Sequence, residues 1–260
     1  MPRITYGEIT EAIAATGLMP RGGFSVQPSD AVPNVSSGQA ARTLILVGNA
    51  GPGMWEQFSR ARRETTMTLD EWSEDVIGEL AENLDARALF PFTRPYHPFQ
   101  TWAQKAEPCF TTPTAMSIHH KYGLWHAYRG ALAFAETIEV PQFTADASPC
   151  VTCVDQPCLS GCPVEAFSSA GYDTEACAAH LSLSDKVDCL SHGCRARRAC
   201  PIGTDYVYEP AQAQFHMDAF LRAAGVLAAP EACEGAVYKP EQNITGRSAS
   251  VRQQRGNVSQ

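Results

Sequence analysis

Cys150-Val-Thr-Cys153-Val-Asp-Gln-Pro-Cys158-Leu-Ser-Gly-Cys162-Pro163 places four thiols within thirteen residues and closes on Cys-Pro. Downstream lie Cys177, Cys189, Cys194 and Cys200, the last again followed by a proline, Pro201. Thiolates wrap a compact inorganic core when several are close in the chain, and eight thiols in two blocks ending on Cys-Pro suit two [4Fe-4S] clusters. In such doubled runs the fourth Cys of a block serves the other cluster. This predicts one site from Cys150, Cys153, Cys158 and Cys200, and another from Cys162, Cys177, Cys189 and Cys194. Four residues rather than two separate Cys153 from Cys158, with Pro157 among them, so a longer loop is expected over the first site. Cys109 and Cys233 fall outside the octet and read as buried or incidental thiols.

Zinc is the alternative, because Cys-x2-Cys pairs also suit a tetrahedral ion. Zinc pairs usually stand twelve or more residues apart, whereas here they are nearly adjacent. Disulfides belong to oxidising compartments. The N-terminal residues show no basic stretch followed by an apolar run, so a cytoplasmic protein with reduced thiols is expected.

The 260 residues carry a formal charge of -8, are 44% hydrophobic and 18% charged, and have a pI near 5.4. That composition can bury a good core in one large or two small domains. An acidic surface repels phosphate backbones, so no nucleic-acid partner is expected. No apolar run approaches the roughly 20 residues of a membrane helix, so no membrane association is expected.

Thr5-Tyr-Gly-Glu8 has the form of a capping box and opens a short helix ending near Gly17. Residues 18–41 read as a Pro-, Gly- and Ser-rich connector or lid. Thr43 to Asn49 is a buried strand by its apolar continuity. It opens into Ala50-Gly-Pro-Gly53, a tight turn before a helix from Met54. Thr68-Leu-Asp-Glu71 offers a second capping box, with Trp72, Val76, Ile77, Leu80 and Leu84 as a core stripe. Strands are expected over 86–92, 115–119 and 130–138, and helices over 99–106 and 211–227. The sequence from Ala228 is polar and expected to be extended or disordered. The expected organisation is an α/β core over 1–140, a two-cluster module over 141–209, and from 210 a helix returning to the core, then the tail.

Ile118-His-His-Lys-Tyr-Gly-Leu-Trp-His-Ala-Tyr-Arg-Gly-Ala-Leu-Ala-Phe134, running on to Glu139-Val-Pro141, resembles a stretch of the cobalamin-processing chaperones that remove the upper ligand of alkyl- and cyanocobalamins. It also resembles the segment preceding the clusters of epoxyqueuosine reductases, which use cobalamin and two clusters. In those enzymes a Cys-rich run, a helix and a Gly-Cys block follow. Here Asp173 to Cys177 and Gly193-Cys194 to Pro201 stand in that order. The resemblance, specific from Ile118 to Pro201, implies an α+β fold: a layered, nitroreductase-like N-terminal core carrying a bacterial-ferredoxin-like module. It matches Arg129 to the chaperones' arginine in Trp-x-x-x-Arg-Gly, which serves the ligand pocket. Two departures stand out. Glu107 occupies a position where the chaperone helix carries histidine, and the short Cys109 to Pro113 stretch replaces the hairpin that follows.

His119, His120 and His126 are read as clustering with Arg129. On that reading Arg129, His119 and His126 are the candidate catalytic residues, and Arg129 and Trp125 the candidate cofactor-binding ones. Arg195, Arg197 and Arg198 lie between two ligands, where positive charge raises the second site's potential; a solvated basic turn or a docking patch for an acidic donor is the alternative. Three functions follow: an oxidoreductase passing electrons from two clusters to a corrinoid or other small-molecule pocket in the N-terminal domain, an electron carrier without its own substrate, or a binding module stapled by structural clusters. The first two need an electron donor such as a ferredoxin or a flavoprotein.

Overall fold

A computed structural model describes residues 4–64, 67–144, 147–168, 171–183 and 188–227. The Pro- and Gly-rich segment after Leu227, with Cys233, lies outside the described residues. Helix α1 (Tyr6–Ala15) starts at the expected capping box, with Thr5 and Glu8 bonding reciprocally. Strand β1 (Met19–Ser25) follows inside the stretch read as a connector. Pro20, Gly22 and Gly23 give β1 little strand propensity, and pairing with β2 (Thr43–Ala50) overrides it. Next come α2 (Gly53–Glu64), α3 (Leu69–Asn83), β3 (Arg87–Leu89) and α4 (Phe99–Ala106). The capping box at Thr68 and Glu71 opens α3 as expected.

β4 (Cys109–Thr111) pairs antiparallel with β5 (Ser117–His119). The stretch read as replacing a hairpin is therefore the first strand of one. β6 (His126–Phe134) begins four residues before the expected strand and stops at Phe134. Thr43 ends the ladder: its hydroxyl donates to the Glu136 carbonyl and accepts from Ile138 N–H, so the chain leaves the sheet there.

The central sheet has the order β1-β2-β6-β3, antiparallel throughout, which makes the protein α+β. Both faces are covered. Ile45, Val47, Leu132 and Phe134 point to α1, α2 and α3, meeting Ile9, Ile13, Phe58, Trp72 and Ile77. Leu44, Leu46, Ala131 and Ala133 point to α4, meeting Phe99, Trp102 and Ala103. The alternation is the two-residue period of a strand.

The cysteine-bearing half is built from short pieces: α5 (Pro157–Ser160), a hairpin of β7 (Phe167–Ser168) and β8 (Gly171–Tyr172), α6 (Thr174–Leu181), α7 (Asp188–His192) and α8 (Arg195–Arg198). The last helix, α9 (Pro210–Ala223), joins both halves. Phe215 packs on Trp55 and Phe58, with ring centroids 5.3 Å apart in each case, and Leu221 packs with Leu181 and Cys189. A second seam lies between the turn before β6 and the chain after Cys200. A Cβ on Gly123 would stand 1.8 Å from the Ile202 carbonyl oxygen, and one on Gly203 would stand 2.3 Å from the Tyr122 carbonyl oxygen. Both glycines also have positive φ, so neither position accepts another residue without strain.

Candidate functional site: two thiol-lined cavities and a buried polar network

The eight cysteines separate into two quartets. Cys150, Cys153, Cys158 and Cys200 line a cavity of about 190 Å³, closed on the front-half side by Ile118, Leu124 and Ile202. Cys162, Cys177, Cys189 and Cys194 line another of about 300 Å³, walled by Met116, Phe167, Tyr172, Met217 and Phe220. These are the groupings that the crossed pattern predicts. All nine cysteines among the described residues are free thiols.

The crossing has a local cause. α5 lies between Cys153 and Cys162 and α8 between Cys194 and Cys200, and the two helices pack on one another. Gly161 makes the approach possible, since a Cβ there would meet Ala199 Cβ at 3.0 Å. Each Cys-Pro at the end of a short helix thus turns its thiol to the cavity opposite. The longer loop before Cys158 closes through Gln156, whose φ of 38° is left-handed, directly before Pro157.

The electrostatics follow the same grouping. Burial raises the Cys158 thiol pKa above its usual value, and the Cys200, Cys150 and Cys153 charges raise it further. Burial also raises Cys177, with Cys194, Cys162 and Cys189 adding to it. Cys189 and Cys200 are raised by burial in the same way, partly offset by backbone hydrogen bonds from Arg195 and Ile202. Ala166 N–H donates to Cys162 Sγ at 3.4 Å. Four mutually repelling thiolates become favourable only beside positive charge. Among the described residues, no group of three or more His, Cys, Asp or Glu side chains is placed to hold a metal ion.

Arg21, fully buried, organises the front half. Its Nε donates to Glu107 Oε2 at 3.2 Å, Nη2 donates to Glu107 Oε1, and Nη1 donates to the Asn49 carbonyl at 3.0 Å. Tyr128 donates its hydroxyl to Glu107, and Tyr122 and Tyr128 face the guanidinium at 5.1 and 4.8 Å. His126 Nε2 bonds the Ser117 carbonyl at 3.2 Å, leaving Nδ1 to accept from Arg21 Nη2 at 3.1 Å. His119 Nδ1 accepts the Lys121 amide at 3.0 Å, so its proton sits on Nε2, 3.8 Å from Glu107. Both rings are neutral. Burial pushes His119 down to about 4, against the pull of Glu107, and it pushes His126 down to about 2 with help from Arg21. Burial raises the Tyr128 phenol above its usual value.

His119 and His126 therefore lie together, 6.1 Å between ring centroids, while Arg129 lies elsewhere. The register with β2 slips between Val47 and Gly48, leaving Arg129 as the extra residue of a β-bulge, and a bulge re-aims side chains. Arg129 Nη2 donates to Asp70 at 2.8 Å at the start of α3, and its Nε is buried without a hydrogen-bond partner among the described residues. The ring of His120 packs on Phe110. Trp125 is buried edge-on against Tyr208 and lines neither thiol cavity. A further cleft of about 540 Å³ between α1, α2 and α3, floored by Trp72, holds none of the predicted site residues. The reading of Arg195, Arg197 and Arg198 as one basic turn needs correction: Arg195 and Arg198 face Asp188, but Arg197 turns inward against Trp125 and Tyr208.

Arg21 and the carboxylate role of Glu107 are not legible in the sequence. Arg21 sits in a stretch that reads as a connector, and its partner is 86 residues away.

No protein-family profile and no curated protein matches the chain. Among solved structures, it is similar to the B12-trafficking protein CblC of C. elegans, a human MMACHC homologue, at 14% identity and a TM-score of 0.45, covering 81% of this chain and 90% of that one. It is similar to epoxyqueuosine reductase from Streptococcus thermophilus at 14% identity and a TM-score of 0.45, covering 79% and 69%. An epoxyqueuosine reductase solved with an epoxyqueuosine-modified tRNA-Tyr stem loop shows 12% identity and a TM-score of 0.42, covering 78% and 66%. No helix among the described residues is long and apolar enough to cross a membrane.

Proposed function

We propose that this protein is an iron-sulfur redox protein holding two [4Fe-4S] clusters. Cys150, Cys153, Cys158 and Cys200 would hold one, and Cys162, Cys177, Cys189 and Cys194 the other. The observation that carries this reading is the separation of all eight thiols into two quartets around two cavities, with Cys162 and Cys200 exchanged between blocks. No ligand group among the described residues is placed for a single ion, and the donor sets suit a larger cluster core instead: four thiols around each cavity, largely apolar walls with His180 and Arg195 in the second, and backbone amides directed at sulfur in both. Bound clusters of this kind supply one-electron transfer. The chain's own residues do the rest. Ile118, Leu124 and Ile202 line the first cavity, Met217 and Phe220 of α9 line the second, and α5 packs on α8 between them.

Electrons would arrive from a protein donor such as a ferredoxin or a flavoprotein. The resemblance of Ile118 to Phe134 supports a corrinoid as the acceptor in the front half. Against it stand the ion pair of Arg129 with Asp70 and the burial of Trp125, the two residues expected to contact it. A carrier without its own substrate is the reading these side chains favour.

The test is anaerobic purification with iron and sulfide analysis, then spectra before and after addition of cobalamin. About eight irons per chain are expected. Cys158→Ser and Cys200→Ser should each remove the same cluster and Cys162→Ser the other. Zinc, or no metal, in the anaerobic protein would refute the reading, and a cobalamin spectral shift would move the assignment from carrier to corrinoid enzyme.

A further inference from the structure

The three arginines between Cys194 and Cys200 have different fates. Arg198 donates to the Asp188 carboxylate, and Arg195 Nε stands 3.6 Å from the same oxygen. Both side chains are partly exposed, at 30% and 54%. Arg197 instead gives Nε and Nη2 to the carbonyl of Leu124, at 2.9 Å for Nε, so its hydrogen bonds meet a neutral oxygen rather than a carboxylate. Its guanidinium carbon lies 4.5 Å from the ring centroids of both Trp125 and Tyr208, which fix it in place. Leu124 is itself a wall of the first cavity and packs with Cys200, whose amide donates to the Arg197 carbonyl at 3.3 Å. The guanidinium thus stands directly behind the lining of the first cavity. Its field is felt nearby, since Arg197 is among the charges that disfavour protonation of His126 and His216.

A cluster held by four thiolates is an anionic object, and each electron added makes it more so. Arg197 is partly buried, as Arg198 is, but faces no carboxylate. A fixed cation that no carboxylate matches stabilises the reduced form more than one already paired with a carboxylate in contact with water. We infer that Arg197 is the positioning charge of the first site, raising the reduction potential of the cluster held by Cys150, Cys153, Cys158 and Cys200, whereas Arg195, which lines the second cavity, and Arg198 face Asp188 and contribute little to the first. This rests on the two-cluster reading and gives the first site a positive charge of its own. In the step concerned, one electron passes from the reductant to the cluster, one ferric centre becomes ferrous, and no bond is made or broken.

The test is a potentiometric titration of the anaerobic holoprotein with dithionite, followed by electron paramagnetic resonance. The first-site signal is the one missing in Cys158→Ser. Arg197→Gln should lower the equilibrium constant for reducing that cluster about tenfold, or 59 mV for one electron. Arg197→Lys, which keeps the charge, should stay within threefold of wild type, as should Arg195→Gln and Arg198→Gln. An unmoved potential in Arg197→Gln, or an equal shift in Arg195→Gln, overturns the inference. So does an equal shift in Arg197→Lys, which would make the effect one of packing. If Arg197→Gln fails to retain iron, Arg197→His decides: relative to wild type its first-site potential should fall as the pH is raised through about 6.5, where the ring loses its charge, and a pH dependence equal to that of wild type overturns the inference. Wild-type protein without iron would overturn the two-cluster reading and this inference with it, whereas a loaded protein with unmoved potentials overturns this inference alone.

Discussion

Replacing Glu107 by alanine removes the counter-charge of a guanidinium that has no access to water. Glu107 is 8% exposed and Arg21 is 0% exposed, and the carboxylate accepts two bonds from Arg21 and one from Tyr128. Breaking such a buried pair from one side costs about 3–5 kcal/mol, because the remaining charge is left without compensation. For a chain of this size each kcal/mol moves the midpoint by roughly 2–4 °C, so Glu107→Ala should melt roughly 6–20 °C below wild type. The assay is thermal unfolding of the anaerobically purified protein by far-ultraviolet circular dichroism. A double-mutant cycle then isolates the pair: Arg21→Met combined with Glu107→Leu should recover at least about 2 kcal/mol over the sum of the single variants. Recovery is incomplete, because the Asn49 carbonyl and His126 Nδ1 also lose their Arg21 bonds. A loss below about 1 kcal/mol in Glu107→Ala, or additive single losses, would refute the view that this pair is an uncompensated charge held in check.

Gly123→Ala should destabilise by about 2–4 kcal/mol, through left-handed strain and collision with the Ile202 carbonyl; thermal unfolding checks this, and on the proposed two-cluster reading iron content should fall first at the cavity of Cys200, two residues before Ile202. Burial, with Arg197 and Arg129 nearby, pushes His216 down to about 4. Its pKa is then lower folded than unfolded, so its contribution is complete above about pH 6.5 and lost as the pH falls toward 4, at about 1.4 kcal/mol per pH unit. His216→Leu should flatten the fall in stability between pH 6.5 and 5 by that amount, measured by denaturant unfolding at each pH, and an unchanged slope would count against a neutral buried ring.

Where adjacent residues interact along the chain, the sequence is decisive. The capping boxes at Thr5 and Thr68 fix two helix starts, because donor and acceptor are three residues apart. The apolar run from Thr43 fixes the central strand, since only a strand covered on both faces buries every residue of such a run. The thiols that share each cavity are those the spacing puts together, with Cys162 and Cys200 exchanged, and their holding clusters is a proposal. What tertiary structure alone decided involves partners far apart in the chain. Edge strand β1 exists only through its pairing with β2, and Arg21 finds Glu107 only after the sheet has formed. The two-residue alternation of β6 parts Arg129 from His126, three residues before it, and turns Arg129 toward Asp70 at the start of α3. Arg197 reads the same as Arg195 and Arg198 in sequence; the packing of Trp125 and Tyr208, residues on other parts of the chain, turns it inward.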